Sequence, residues 1–248
     1  MLLYIHTNVH FISKGGGKLN LFILSYITNS LMKENLDVIS LNKKAWNNAA
    51  KKYELAKYGK INSLAELFRE KLPENAFILD LGSGTGLPFT KYFVDKGFKV
   101  LGIDISAEMI KISKINVPNA EFRELSMTEL DFVNKFDGIF SNYSMLLLNP
   151  TLFKDVAKKI IKSLKINGLL YLALNEPREK NANFDKDSVV KILGEEMYSR
   201  AYLEEEILTI FAPLGLNLLK IQREIISSKE FGIEHCIRLL FKKKLLNK

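Results

Sequence analysis

The chain has 248 residues, ordinary apolar (47%) and charged (26%) fractions, a formal charge of +8 and a single cysteine. That length buries a full core in one domain with at most a small appendage. The lone Cys236 rules out an internal disulfide framework or a cysteine-built zinc site and suits a reducing, cytoplasmic compartment. With three histidines in all, no metal centre is expected. The positive excess is scattered lysine, and its one run of three, Lys242–Lys244, stands at the C-terminus, so nucleic acid is not the expected partner.

Residues 1–35 are read as an extension outside the fold, which a true start at Met32 would explain. Leu19–Met32 is apolar but broken by Asn20, Ser25, Thr28, Asn29 and Ser30. It falls short of the ~20 apolar residues that cross a bilayer. Lys14 and Lys18 imitate the start of a signal peptide, yet no small-x-small cleavage site follows. The domain proper is expected over 36–248. It opens with two helices over 36–75: one capped by Ser40, with Trp46, Ala49, Ala50 and Tyr53 at helical spacing, and one over Ile61–Leu72, stopped by Pro73.

Residues Ile78 to Ser106 organise the rest. The apolar run Phe77–Leu81, carrying Asp80, leads into a loop with Gly82, Ser83, Gly84 and Gly86. Pro88–Lys96 reads as a helix stopped by Gly97, and the second apolar run, Phe98–Ile103, ends on Asp104. Glycines let the main chain turn sharply and let a cofactor lie against bare backbone. A carboxylate roughly 20 residues beyond such a loop suits a ribose diol. A dinucleotide fingerprint needs glycine at position 87, where Leu87 stands, and Asp80 would repel a pyrophosphate while tolerating a cationic amino-acid group.

This G-x-G-x-G loop preceded by Asp80 resembles motif I of the class I S-adenosylmethionine (SAM)-dependent methyltransferases. The resemblance covers residues 40 to 243. It implies an α/β fold: a Rossmann-like, doubly wound, seven-stranded sheet, mostly parallel with a C-terminal antiparallel hairpin, and helices on both faces. It also implies that the N-terminal helices cover the cofactor, with Trp46, Tyr53 and Tyr58 as aromatic candidates.

Further along, Ser106 caps a helix to about Ile115, and Glu121–Leu125 is a short strand before Ser126-Met127. Relatives commonly carry an acid at the position of Ser126, where it accepts from the adenine amino group; a serine accepts without charge. Met127 and Ile105 would wall the ring. Phe136–Ser141 followed by Asn142-Tyr143-Ser144 resembles motif IV, whose main chain holds the methionine part of SAM. It lacks both prolines of the nucleobase amino-methyltransferases. Pro150–Ile166 reads as an amphipathic helix capped by Asn167-Gly168, and Leu169–Leu174 as the fifth strand. Polar residues 177–200 read as substrate-side structure with a short helix near Ser188–Leu193. Tyr202–Pro213 reads as the last helix, and Leu216–Ile226 with Ile233–Lys242 as the hairpin.

The resemblance thus implies SAM as cofactor, contacted by Asp80, Gly82, Ser83, Gly84, Gly86, Asp104, Ile105, Ser126, Met127, Ser141 and Asn142. A small-molecule acceptor receives the methyl group by in-line displacement, with Tyr143 and then His235 as candidate bases. The alternatives are a protein or tRNA acceptor, a non-catalytic SAM-binding subunit, or a nicotinamide-dependent oxidoreductase, against which Leu87 counts. The sequence leaves the oligomeric state open.

Overall fold

Phe77–Leu81 forms β1, and the sheet grows outward from it in both directions. The structure, a computed structural model, describes residues 17–56, 59–178, 187–228 and 232–244; side chains before Asp37 are not among them. β1 pairs in parallel with β2 (Lys99–Asp104) on one side and with β4 (Phe136–Asn142) on the other. β3 (Glu121–Glu124) extends the first side, and β5 (Leu164–Glu176) the second. The long hairpin β8 (Leu216–Ser228) and β9 (Gly232–Lys243) closes the sheet antiparallel to β5. The resulting order, β3-β2-β1-β4-β5-β9-β8, puts the switch in strand order between β1 and β4. Ligands in open α/β sheets bind at that switch point, outside the carboxyl ends of the strands.

Both faces of the sheet are apolar because the central strands are buried on both sides. On one face, Leu79, Leu101, Ile139, Leu172, Ile237 and Leu239 pack against α5 (Pro150–Ser163) and α6 (Glu204–Phe211) through Phe153, Val156, Ile160 and Phe211. On the other, α2 (Ser63–Lys71) and α3 (Phe89–Asp95) bring Phe68, Phe89 and Phe93 onto Phe140. Phe140 also stacks on Tyr171 at 4.1 Å. α4 (Ala107–Asn116) seals the β3 edge with Ile110 against Phe122. Asn62 caps α2 by accepting from Ala65 N (2.9 Å), and Ser106 caps α4 by accepting from Met109 N (3.1 Å).

The seven-stranded, mostly parallel sheet agrees with the expected fold class. Local readings differ in three places. Ser40 caps nothing: α1 runs from Gly17 to Ala56 through that position. Residues Met1–Leu36 and Asp37–Lys248 separate as two units, and the expectations for the extension fall on residues outside the described side chains. Asn167-Gly168 does not end α5, which stops at Ser163; the pair lies in a bulge of β5, where the register against β4 slips between Phe136 and Gly138. The helix expected near Ser188–Leu193 is instead a strand. β6 (Asp187–Ile192) and β7 (Glu195–Arg200) form a hairpin whose two turn residues, Leu193 and Gly194, both have positive φ (54° and 92°). Packing decides it: Met197, Ile192 and Leu193 close a small apolar cluster on Ala45, Trp46 and Ala49 of α1. Among the described residues no helix is long and apolar enough to cross a membrane.

Candidate functional site

A cavity of about 1040 Å³ opens at the switch point, between the loops that follow β1 and β4. Small-molecule sites usually occupy ~300–1,000 Å³, so this one stands at the roomy end of that range. Its base is the glycine loop, pinned by Gly82 N and Ser83 N, which donate to Ile103 O (both 2.9 Å). Its roof is α1 and the β6–β7 hairpin: Asn42 donates to Leu147 O (2.9 Å) and Tyr198 O (3.2 Å) and accepts from Tyr198 N (2.8 Å). Trp46 and Tyr53 line the cavity and meet edge-to-face at 5.6 Å; Tyr58 lies outside the described residues.

The three glycines do different work. Gly82 (φ 76°) is needed for packing, because a Cβ there would come within 2.3 Å of Ser144 Cβ. Gly84 (φ 54°) faces the cavity, and a Cβ would meet only the Tyr53 ring at 3.7 Å. That is the bare main chain a ligand can lie on. Gly86 does not line the cavity; its close neighbours are Val117 and Phe122 under α4.

Two buried carboxylates flank this bed. Asp104 Oδ2 accepts from Gly84 N (3.0 Å) and Oδ1 from Ser106 N (2.8 Å), so the acid at the tip of β2 also fixes the loop. Asp80 takes a short hydrogen bond from Thr90 Oγ1. Burial, opposed by that hydrogen bond and reinforced by the charge of Asp104, pushes the Asp80 carboxyl up to about 7. Burial likewise lifts Asp104 to about 6 against its backbone donors. Two desolvated acids beside one loop repel an anion and favour a cationic ligand. A sulfonium amino acid joined to a ribose fits this donor set, and a pyrophosphate does not.

Ser83, Ile105, Ser126, Met127, Asn142 and Tyr143 also line the cavity. Ser126 has a second duty: its hydroxyl caps a short helical turn, accepting from Thr128 N (3.2 Å) and pairing with Thr128 Oγ1 (2.7 Å). Ser141 is fully buried behind the wall, paired with Ser144 Oγ (2.9 Å). His235 is not brought to the site; it lines a separate cavity of about 230 Å³ beside Glu176 and Arg178. Tyr143 sits at the wall with φ 56°, and burial drives its phenol far above the usual range.

Residues of the hairpin complete the site and escaped the sequence reading: Arg238, Glu224 and Glu234 line the cavity with Asn175. Their one signal is a charge, Arg238, placed between apolar residues of a strand that pairs on both sides. Among the described residues, the buried side-chain atoms without a hydrogen-bond partner include Trp46 Nε1, Ser83 Oγ, Asn142 Oδ1, Tyr143 Oη and Arg238 Nε, all from this lining. Unmade hydrogen bonds are costly when buried, and their gathering here marks a ligand's place.

The family described as "Methyltransferase domain" matches residues 78–168. Carboxy-S-adenosyl-L-methionine synthase of Campylobacter jejuni subsp. doylei is 31% identical over 113 residues, 43% of this chain and 47% of that one. The 23S rRNA (uracil(747)-C(5))-methyltransferase of Pyrococcus abyssi is 29% identical over 110 residues, 43% of this chain and 25% of that one. The chain spans about half the length of the synthase it matches. Among solved structures, a SAM-dependent methyltransferase of Methanosarcina mazei superposes with a TM-score of 0.66 at 18% identity, over 75% of this chain and 100% of that one. The Burkholderia thailandensis 1,6-didemethyltoxoflavin-N1-methyltransferase, solved with its substrate and S-adenosylhomocysteine, gives 0.57 at 17% identity, over 95% and 93%. The matched segment runs from β1 into the bulge of β5 and contains both acids and the whole glycine loop, so the site lies in a segment that matches a methyltransferase domain, on a fold shared with SAM-dependent methyltransferases.

Proposed function

We propose that the protein transfers the methyl group of SAM to a small-molecule acceptor. The observation that carries the reading is the pair of buried carboxylates, Asp80 and Asp104, on either side of bare main chain at Gly84 in one cavity. Asp104 would accept from the ribose diol and Asp80 would face the cationic amino-acid end. Ile105 and Met127 would wall the adenine, with the Ser126 hydroxyl as a neutral acceptor. SAM supplies an already activated methyl group, so the protein's task is to hold the acceptor in line with it. Such positioning lowers barriers by roughly 7–11 kcal/mol in favourable cases, against 10²–10⁴-fold from one general base.

The roof of α1 and β6–β7 favours an acceptor that enters whole over a nucleic-acid or protein surface. Lys243, the centre of the one basic run, is committed inward to Ile161 O (2.7 Å) and Leu164 O (2.6 Å), which weakens a polyanion partner further. The reading places the reaction in the cytoplasm. The test is isothermal titration with SAM, then transfer of a labelled methyl group into a metabolite panel and into tRNA and protein fractions. Binding with small-molecule labelling supports the reading. Labelling confined to tRNA or protein overturns the acceptor class, binding without turnover overturns the enzyme, and absence of heat at near-millimolar SAM overturns both.

A further inference from the structure

Residues paired across a sheet share a face, and one chain of pairs crosses the cavity floor: Asn142 opposite Ala173, Ala173 opposite Arg238, and Arg238 opposite Gln222. The next row joins Asn175, Cys236 and Glu224, and Glu234 lies one row beyond. The same face is apolar under α2, where Phe140 and Tyr171 stack, and turns polar only where the hairpin reaches past the glycine loop.

Arg238 dominates this polar floor. Its side chain is only 4% exposed and has one carboxylate partner, Glu224 Oε2 at 2.8 Å from Nη1. Its Nε has no partner and Glu224 is half exposed, so solvent shares in screening the one counter-charge. A guanidinium carries five donors and is costly to bury with one of them, Nε, left idle. Tyr143 adds a second buried donor close enough to feel the guanidinium's field, spent at most on the weak acceptor Cys236 Sγ, and burial favours its neutral phenol. Of the two acids on the floor, Glu224 pairs with Arg238, while Glu234 Oε1 accepts from Asn175 Nδ2 (2.9 Å). Arg223 is spent on Glu176 and Glu204.

We propose that the acceptor carries a carboxylate, which docks against the free edge of the Arg238 guanidinium and the Tyr143 hydroxyl. The inference rests on the methyltransferase reading and names the chemistry of its second substrate. Planar forks suit carboxylates, whose oxygens accept from guanidinium in fixed geometry. The neutral Asn142 Oδ1 beside them serves any N–H or O–H of the same molecule.

The test titrates the full chain, loaded with S-adenosylhomocysteine, with matched probes: benzoate and benzamide, phenylacetate and phenylacetamide, and benzamidine as the cationic counterpart. The acid of each pair is expected to bind at least tenfold tighter than its amide, with benzamidine weakest. Tyr143→Phe, which preserves shape, is expected to cut the acid's affinity roughly threefold to tenfold and leave the amide's unchanged. Arg238→Lys, checked for folding by its melting temperature, is expected to remove most of the preference. No preference within either pair, whether from equal binding or from none, overturns the proposal, as does a preference for benzamidine. If S-adenosylhomocysteine itself fails to bind, the methyltransferase reading falls and this inference with it; if it binds and the acids are not preferred, only this inference falls.

Discussion

Replacing Gly84 by alanine separates the ligand's bed from the fold's own needs. At φ 54° a non-glycine residue pays a left-handed cost of roughly 1–2 kcal/mol, offset in part by about 0.4–1 kcal/mol of lost unfolded-state freedom. The new methyl group meets nothing closer than Tyr53 Cε1 at 3.7 Å, an ordinary contact, and Gly84 N keeps its bond to Asp104. The net loss is about 1 kcal/mol, a fall of roughly 2–4 °C in Tm for a chain of this size. Yet the methyl group stands where the cofactor is meant to lie on main chain, so affinity for S-adenosylhomocysteine should fall at least tenfold, about 1.4 kcal/mol. Gly82→Ala is the counterpart. Its Cβ would lie 2.3 Å from Ser144 Cβ and 2.9 Å from Ser144 Oγ, at φ 76°. Overpacking of roughly 1–3 kcal/mol adds to the backbone cost and should lower Tm by roughly 5–15 °C. Differential scanning fluorimetry and calorimetric titration read the two effects separately. A stable Gly84→Ala variant that binds S-adenosylhomocysteine within twofold of the original would refute the bed.

Three further outcomes follow from the site. Burial raises the folded-state pKa of Asp80 from 3.8 to about 7, so its stability contribution is present below about pH 4 and lost as pH climbs through 7. Asp80→Asn should therefore stabilise the ligand-free protein at pH 8 by a few kcal/mol at most, on the order of 2–4, while S-adenosylhomocysteine binding collapses; a destabilised variant contradicts the burial argument. For the original protein, affinity for the cationic ligand should rise from pH 5.5 to 8 as Asp104 and then Asp80 ionise, and a flat profile contradicts it. Ser126→Asp retains a good N-cap for its helical turn and adds a charge near the adenine wall, so titration should show affinity raised severalfold. His235→Gln should leave turnover within twofold, because that ring lies outside the main cavity; a loss beyond tenfold would return it to the chemistry.

How far the sequence could be read follows from how local each determinant is. The unit from β1 through the glycine loop to Asp104 was legible because a strand, a turn, a helix and a second strand each announce themselves within a few residues. The same holds for the Ser106 cap and the closing hairpin. The stretch Ser188–Leu193 reads as helix yet lies in and just beyond β6, because Val189, Val190 and Ile192 show no clean period. Its pairing depends on a two-residue turn and on Met197 reaching Ala45 and Ala49, some 150 positions earlier. Asn167-Gly168 carried a genuine stop signal, but α5 had already ended where Ser163 Oγ turns to Phe132 O and Lys159 O. Arg238 was silent for the same reason as the hairpin: only the sheet sets it beside Tyr143 and Glu224. His235 looked eligible by residue type alone, and the side to which its strand turns it removes it from the cavity.

The most direct measurement is a crystal structure with S-adenosylhomocysteine. The account predicts the ribose hydroxyls on Asp104, the amino-acid end against the main chain at Gly84 with its ammonium turned to Asp80, and the sulfur pointing toward Tyr143 and Arg238. A ligand seated elsewhere, or one whose ribose and ammonium touch neither acid, would contradict it.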